Sequence, residues 1–320
     1  MTTQARAAIP LTPASRRDFW RGVWRVADPK ITLASVAAML LGAAMAATAG
    51  PVHWGWLVLT VVGIFCVEAA KNASGEIFDW DSGADQAVGE ADRSPFSGGK
   101  RVLVDRLMSR RQAAAVAAVF YALGGLAGLV IALAREPAVL WLGLAGASLA
   151  FFYHAPPFKL SYRGLGELAV ALSYGPLITC GTYLVQQHRI DAPVVLLSLP
   201  LGLLIAGFLW VNEFPDRRAD AGAGKRTLVV RLGARRAARA FAALVAAAYL
   251  GLTLLPLAGL PLGVLGGLAG LPHGVAAARR LARDPETTSW IIPAQAWTLL
   301  SFLLLAVGAA AGLTAGALMR

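Results

Sequence analysis

Two residue types that often build metal or redox centres are scarce in this sequence. Its 320 residues include only two cysteines, Cys66 and Cys180, and four histidines. Both cysteines lie in apolar runs, which excludes a disulfide framework and a thiolate metal cluster. His53, His188 and His273 show no metal-ligand spacing, so ordinary structural roles are favoured for them.

Charge is scarce as well. Charged residues make up 15% of the sequence and hydrophobic residues 57%. Several nearly uncharged runs reach the roughly 20 residues that a helix needs to cross a bilayer. The composition therefore excludes a soluble protein. The net charge of +11 does not point to nucleic acid as a partner, because membrane proteins collect Lys and Arg in their cytoplasmic loops.

The apolar runs predict an all-α integral membrane protein with nine transmembrane helices. The predicted spans are 31–49, 52–78, 112–134, 138–153, 164–186, 192–214, 237–255, 260–282 and 288–318. They form one domain, residues 31–320, which follows an N-terminal segment, residues 1–30. In that segment Arg17, Arg21 and Arg25 recur at helical spacing beside Trp20 and Trp24, which suits a helix in the headgroup region. A solvated helix leading into the first span fits equally well.

The basic residues predict the orientation. Of the 29 Lys and Arg residues, 25 lie in the N-terminal segment, in the loops after the even-numbered spans or within four residues of those loops. We therefore place the N-terminus and these loops in the cytoplasm and the C-terminus outside, with the protein in the inner (cytoplasmic) membrane.

An acidic column ends the sixth predicted span. Asn212, Asp216 and Asp220 are four residues apart, so on a helix they share one face. Oxygen ligands of this kind suit Mg²⁺, which takes one or two carboxylates and completes its shell with waters and phosphates. The following Lys225 and Arg226 offer donors to anionic oxygens. The pattern predicts half of a magnesium–diphosphate site.

Pro215 lies inside this column. It removes one backbone donor, so it either kinks the helix and turns Asp216 and Asp220 towards a cavity, or ends the span. The sequence fits both alternatives.

A second acidic cluster lies at the end of the second predicted span. Asn72, Glu76 and Asp79 fall on one helical face, and Asp85 comes after Gly83, where the helix should end. Carboxylates near a membrane are costly, which favours a functional role. The alternative is a solvated helix end, or pairing with nearby bases, namely Arg93, Lys100 and Arg101.

Each acidic cluster precedes nearly the same basic stretch. Residues 99–107 (GKRVLVDRL) and 224–232 (GKRTLVVRL) are identical at seven of nine positions. A duplicated half-site on two related halves explains the repetition. Chance similarity of two basic loops is the alternative.

A loop after the fourth predicted span carries further candidates. Pro156 and Pro157 predict a loop, which also contains Lys159 and Arg163. These bases either hold an acidic acceptor or phosphate, or act as positive-inside anchors. Tyr153 either lines the cavity or belongs to the interfacial aromatic belt.

Two separate carboxylate sets suit the ionisation of an allylic diphosphate. Magnesium ions bridging the diphosphate would neutralise charge as its C–O bond breaks. An apolar membrane cavity would keep water from the resulting carbocation.

Together these motifs resemble the UbiA-type membrane prenyltransferase superfamily. Three stretches are similar to 1,4-dihydroxy-2-naphthoate polyprenyltransferases of menaquinone synthesis: 79–85 (DWDSGAD), 155–167 (APPFKLSYRGLGE) and 224–233 (GKRTLVVRLG). The resemblance implies nine helices around a central cavity that opens near the cytoplasmic surface. It also implies transfer of a polyprenyl group from its diphosphate to an aromatic acceptor, with Mg²⁺ as cofactor and no protein partner evident.

The residue roles follow from motif and resemblance together. The expected magnesium ligands are Glu76, Asp79, Asp85, Asp216 and Asp220. The expected catalytic residues are Asp79, Asp216 and Asn212. The expected diphosphate-binding residues are Asn72, Arg93, Lys100, Arg101, Lys159, Arg163, Lys225 and Arg226.

The first motif departs from the family pattern. Where members usually have Asn-Asp, this chain has Gly75 and Glu76. Glu76 can ligate magnesium with a longer reach, and Asn72 is a candidate for the missing amide. The departure leaves another aromatic or lipid acceptor open. A secondary transporter is the alternative from another class, disfavoured because the acidic residues lie at span ends and not at the midplane.

Overall fold

The computed structural model describes residues 15–318, and every regular element in that range is helical. Four short 3₁₀ segments (Glu90–Asp92, Leu160–Arg163, Leu255–Ala258 and Leu262–Gly270) and one π-helical segment (Ser173–Leu177) join or extend the α-helices. The α-helices are α1 Arg16–Ala27, α2 Pro29–Ala49, α3 Trp54–Ser82, α4 Ala84–Ala87, α5 Arg110–Ala134, α6 Val139–Phe152, α7 Gly166–Leu172, α8 Ile178–Gln187, α9 Ala192–Gly222, α10 Leu228–Leu232, α11 Ala234–Leu254, α12 Leu271–Arg283 and α13 Thr288–Leu318.

The structure confirms an all-α chain with long apolar helices. Within residues 15–318, seven helical stretches are long and apolar enough to cross a membrane. The fourth predicted span corresponds to α6, whose 14 residues are fewer than the roughly 20 that a bilayer requires. The eighth divides into a 3₁₀ segment and α12, which has a proline in its first turn. The count of nine spans is therefore not confirmed.

Helix α9 is the buried centre of the molecule. Leu197, Leu201 and Leu204 have no exposed surface. The helix packs against α7, α11 and α13, and it continues through Pro200 and Pro215 to Gly222. The span therefore does not end at Pro215, and the whole acidic column of the sixth predicted span is helical.

Helix α3 carries the other acidic cluster. It packs along α5 and runs to Ser82, where Gly83 ends it with a φ of 81°. The Nδ2 atom of Asn72 donates a hydrogen bond to the carbonyl of Val26 (2.8 Å). This bond ties α1 to the middle of α3.

Helix α1 lies over the chain that leads from α3 to α5. Phe19, Val23 and Val26 pack against a buried group that includes Leu103 and Met108. The opposite face of α1 is exposed. One element therefore contacts both α3 and the connection that follows it.

Candidate active site

A cavity of about 380 Å³ lies between α3 and α9. Its volume is within the range of small-molecule sites. Apolar side chains from α3, α5, α6 and α9 form most of its wall. Its polar groups include the two acidic clusters, represented by Asn72, Glu76 and Asp79 from α3 and by Asn212, Asp216 and Asp220 from α9.

Lys225 joins the two clusters. Its Nζ atom lies 3.5 Å from Oδ1 of Asp220 and 3.9 Å from Oδ2 of Asp79. Burial alone would lower the pKa of Lys225, but the charges of Asp220 and Asp79 raise that pKa well above its usual value. A permanent cation therefore lies between carboxylates from two different helices.

Asp79 is held by residues from the loop that follows α6. The hydroxyl of Tyr162 donates to Oδ1 of Asp79 (2.8 Å), and Nε2 of His154 lies 3.4 Å from Oδ2. Burial, followed by the charge of Asp79, raises the pKa of Tyr162 above its usual value, which keeps the hydroxyl a donor. The orientation of the Asp79 carboxylate is thus fixed by side chains distant in sequence.

Glu76 binds the backbone of the next connection. Its Oε1 accepts from the N–H of Lys100 (2.5 Å), and its Oε2 accepts from the N–H of Val102 (2.8 Å). The carboxylate therefore anchors residues 94–102, which we call the diglycine loop. Its role as a magnesium ligand stays a prediction, and loop anchoring is a use that the sequence did not suggest.

The diglycine loop also reaches α9. The N–H of Gly98 donates to Oδ2 of Asp216 (2.9 Å), and Gly98 and Gly99 have φ values of 86° and 71°. Any side chain there would be strained. A Cβ on Gly99 would also lie 2.4 Å from Oδ1 of Asp85. Burial, together with the charge of nearby carboxylates, raises the pKa of Asp85 to about 9.

Three of the eight predicted diphosphate-binding residues line the cavity: Asn72, Lys100 and Lys225. Two of them already have partners, since Lys100 pairs with Asp28 and the amide of Asn72 donates to Val26. Among the described residues, Lys225 is therefore the predicted base whose ammonium group faces the carboxylates of both clusters.

The structure places the other five predicted bases outside the cavity wall. Arg93 is exposed near Glu90, and Arg226 is exposed beside the same loop as Lys225. The remaining three contact other groups of the protein. Arg101 donates to the carbonyl of Asp85 (3.3 Å), Arg163 donates to the carbonyl of Pro157 (2.9 Å), and the Nζ atom of Lys159 lies 5.3 Å from the ring centre of Tyr162.

The donor set fits a magnesium ion that is shared with an anionic ligand. Oδ1 of Asp216 and Oδ1 of Asn212 are buried and have no hydrogen-bond partner among the residues described. Within residues 15–318, no three His, Cys, Asp or Glu side chains gather closely enough to hold a metal ion. Mg²⁺ needs no such cage, because waters and phosphate oxygens usually complete its shell.

Sequence reasoning missed three residues of the site. His154 and Tyr162 contact Asp79, and Glu213 lines the cavity with its buried Oε2 unpartnered in the described part of the chain. Glu213 follows Asn212 directly, and the two others lie in the stretch in which only Tyr153, Lys159 and Arg163 were singled out as candidates. Their contacts join residues about 80 positions apart, which no local pattern reveals.

These features define a helical membrane protein with a cavity lined by two acidic clusters. The sequence matches the UbiA prenyltransferase family over residues 35–299, and the chain belongs to that family.

Among its relatives is the 1,4-dihydroxy-2-naphthoate octaprenyltransferase of Mycobacterium tuberculosis. It is 30% identical over 292 residues, which cover 91% of this chain and 96% of the relative. The 2-carboxy-1,4-naphthoquinone phytyltransferase of Synechocystis is 26% identical over 250 residues, covering 78% and 77% of the two chains.

Solved structures share the fold. A UbiA homologue from Archaeoglobus fulgidus bound to GPP and Mg²⁺ has a TM-score of 0.61 at 17% identity, covering 90% of this chain and 99% of that one. A digeranylgeranylglyceryl phosphate synthase has a TM-score of 0.63 at 16% identity, covering 93% and 99%.

Proposed function

We propose that this membrane prenyltransferase moves a polyprenyl group from an allylic polyprenyl diphosphate to an aromatic acceptor, 1,4-dihydroxy-2-naphthoate or a related ring. The observation that carries the proposal is the approach of Lys225 to carboxylates from both α3 and α9 inside one cavity. The naphthoate enzymes among the relatives, and the fold neighbour bound to GPP and Mg²⁺, support the choice of substrates.

The polar end of the cavity would hold the diphosphate. Asp79, Asp216 and Asp220, with Asn212 assisting, supply hard oxygens for Mg²⁺. Glu76 and Asp85 remain candidates for the same role. Bound magnesium supplies positive charge that stabilises the departing diphosphate. Lys225 donates to diphosphate oxygens from the same cavity wall.

The apolar part of the cavity would protect the allylic cation from water. As the C–O bond breaks, the electron pair leaves with the diphosphate and an allylic cation forms. Side chains such as Val67, Ile131 and Phe208 line the wall and exclude water. A ring carbon of the acceptor then bonds to the cation. The ring afterwards loses a proton, or its carboxyl group as CO₂ in the case of dihydroxynaphthoate.

We place the cavity opening near the cytoplasmic surface of the inner membrane, with the N-terminus in the cytoplasm and the C-terminus outside. The basic connections around the acidic clusters support this orientation. In this arrangement α6 and the segment from Leu262 to Arg283 complete nine membrane-embedded helices around the cavity. Residues 31–320 then form one catalytic domain.

Helix α1 would lie in the headgroup region as part of the N-terminal segment. Trp20 is 59% exposed and Trp24 69% exposed, and Arg17 and Arg21 are exposed as well. Aromatic rings and cations on one face suit the membrane interface. The segment before residue 15 lies outside the described residues.

The direct test uses purified protein, a labelled polyprenyl diphosphate and dihydroxynaphthoate. We expect Mg²⁺-dependent release of diphosphate and a prenylated ring detectable by mass spectrometry. Release of diphosphate without ring prenylation would point to another aromatic or lipid acceptor. Solute uptake by loaded vesicles without any diphosphate release would overturn the proposal in favour of a transporter.

A further inference from the structure

Gly75 has no room for a side chain, because the ring of His154 lies against it. It is buried in the interior of α3, where glycine weakens a helix relative to alanine. A Cβ at this position would lie 2.8 Å from Cε1 and 2.9 Å from Nδ1 of His154. The imidazole ring therefore rests on the bare backbone of α3, and the position accepts no larger residue while the ring is there.

The ring that occupies this space points at the acidic cluster. Nε2 of His154 lies 3.4 Å from Oδ2 of Asp79, and the His154 side chain is 13% exposed. The ring of Tyr153 packs edge-on against it, with ring centres 4.7 Å apart. The backbone at Gly75 and the ring of Tyr153 restrict the orientation of the imidazole. This packing holds the ring in contact with Asp79.

The side-chain amide of Asn72 does not replace the asparagine of the family motif, because it binds another part of the chain. Asn72 lies one turn before Gly75, but its Nδ2 donates to Val26 (2.8 Å). Its amide group therefore holds α1, while His154 is the ring that contacts Asp79. The family motif that this stretch resembles has asparagine at position 75. An asparagine side chain there would clash with the ring of His154.

We propose that His154 positions the Asp79 carboxylate in place of a side chain at residue 75, and that Gly75 is the residue that makes room for it. The inference rests on the proposed function, in which Asp79 holds Mg²⁺. It requires only an N–H at Nε2, which a neutral imidazole provides in one tautomer. Groups that orient a metal ligand typically change metal affinity or activity 10–100-fold when removed.

A double-mutant cycle tests the pair. The variants are His154→Ala, Gly75→Ala, the double variant and His154→Gln, and Gly55→Ala is the matched control. Gly55 lies in the same helix, and a Cβ there would meet nothing within 4 Å. The readouts are Mn²⁺ affinity in the presence of inorganic pyrophosphate, measured by electron paramagnetic resonance, and the Mg²⁺ concentration for half-maximal turnover. Gel filtration and Tm report folding.

We expect His154→Ala to weaken Mn²⁺ binding and raise the half-activating Mg²⁺ concentration about tenfold, leaving the KM for the acceptor unchanged. Gly75→Ala should match it, because the new methyl group displaces the ring. The double variant should be no worse than either single variant, His154→Gln should recover part of the loss, and Gly55→Ala should behave as wild type.

Penalties that multiply in the double variant would overturn the inference, because residues acting through one contact are not additive. Unchanged Mn²⁺ affinity in His154→Ala would overturn it too. If Asp79→Asn abolishes turnover while His154→Ala does not move the Mg²⁺ dependence, this inference fails and the proposed function stands. If the Mn²⁺ affinity of the wild type depends on His154 but the protein releases no diphosphate, the proposed function fails and the positioning role stands.

Discussion

The two nearly identical basic stretches of this chain have different surroundings. Gly99 and Gly224 both have left-handed backbone, with φ values of 71° and 74°. Lys100, the next residue in the first copy, pairs with Asp28 at the end of α1. Lys225, its counterpart in the second copy, lies between Asp79 and Asp220. Both lysines line the cavity, but the ammonium group of the first pairs with the end of the N-terminal helix and that of the second lies between the two acidic clusters.

The backbones already differ at the shared arginine, since Arg101 has a φ of 55° and Arg226 has no positive φ. In the second copy the side chain of Thr227 accepts from the N–H of Val230 (3.3 Å) and begins α10. In the first copy Val102 has no such side chain, and its N–H donates to Glu76. The second copy thus begins a helix after Thr227, whereas the first forms a loop whose backbone is bound by Glu76 of α3.

The comparison shows that similar local sequence does not fix function. Each lysine lies beside the buried carboxylates that its surroundings offer, because an unpaired buried charge is costly. Among the described residues, only the second copy has a lysine whose ammonium group lies within 4 Å of carboxylates from both α3 and α9. The repeat is therefore consistent with duplication, while the lysine that we propose to bind the diphosphate belongs to the second copy.

The largest effect should come from the α9 carboxylate that binds the diglycine loop. Asp216→Asn keeps the shape and one carbonyl acceptor but removes the charge that Mg²⁺ needs. We expect kcat to fall at least about 100-fold, as for loss of a major electrostatic group. The measurement is diphosphate release at saturating Mg²⁺.

Asp191→Asn is the matched control, since Asp191 lies at the other end of α9 and pairs with Arg189. Its turnover should stay within about twofold of wild type, as for surface residues away from the site. Equal losses in both variants would contradict the assignment of Asp216.

The lysine pair tests the comparison directly. Lys225→Met should lower kcat/KM for the prenyl diphosphate about 100-fold, because it removes a charge-assisted donor from the cavity. Lys100→Met should lower kcat/KM less than tenfold and mainly reduce Tm, since a partly buried ion pair contributes about 1–3 kcal/mol. Steady-state kinetics and thermal unfolding in detergent measure both. Equal losses of kcat/KM in the two variants would mean that both lysines bind the diphosphate.

Glu76→Gln probes the anchor of the first copy. The amide oxygen can accept only one of the two N–H groups well, and neither bond stays charge-assisted. We expect the free energy of unfolding to fall by about 1–2 kcal/mol, with a smaller loss of kcat than in Asp79→Asn. Thermal unfolding and turnover of the two variants provide the check. A kcat loss as large as that of Asp79→Asn, without a stability change, would instead make Glu76 a metal ligand.

Local patterns predicted much of this architecture. The apolar runs located the long helices, and four-residue spacing placed the carboxylates of α3 and α9 on shared faces. The same rules could not predict that α9 continues through Pro215, because the surrounding helices decide whether a proline ends a helix. They also predicted a full span where α6 has only 14 residues.

The partners of the site residues were beyond sequence reasoning. Lys100 and Asp28 are 72 positions apart, and Tyr162 and Asp79 are 83 apart. Charge and spacing indicate that a residue is available, but tertiary packing selects its partner. This is why five of the predicted diphosphate-binding bases lie outside the cavity wall.

The smallest effects are expected for the arginines that follow the two lysines. Arg101 is half-buried and donates to the carbonyl of Asp85, whereas Arg226 is exposed. Arg101→Ala should lower the free energy of unfolding by about 1 kcal/mol, and Arg226→Ala should change it by no more than about 0.5 kcal/mol. Thermal unfolding of both variants measures the difference. If Arg226→Ala instead lowered kcat/KM for the diphosphate, the exposed arginine would have to move into the cavity on binding. The second copy would then supply two cations where the structure brings only Lys225.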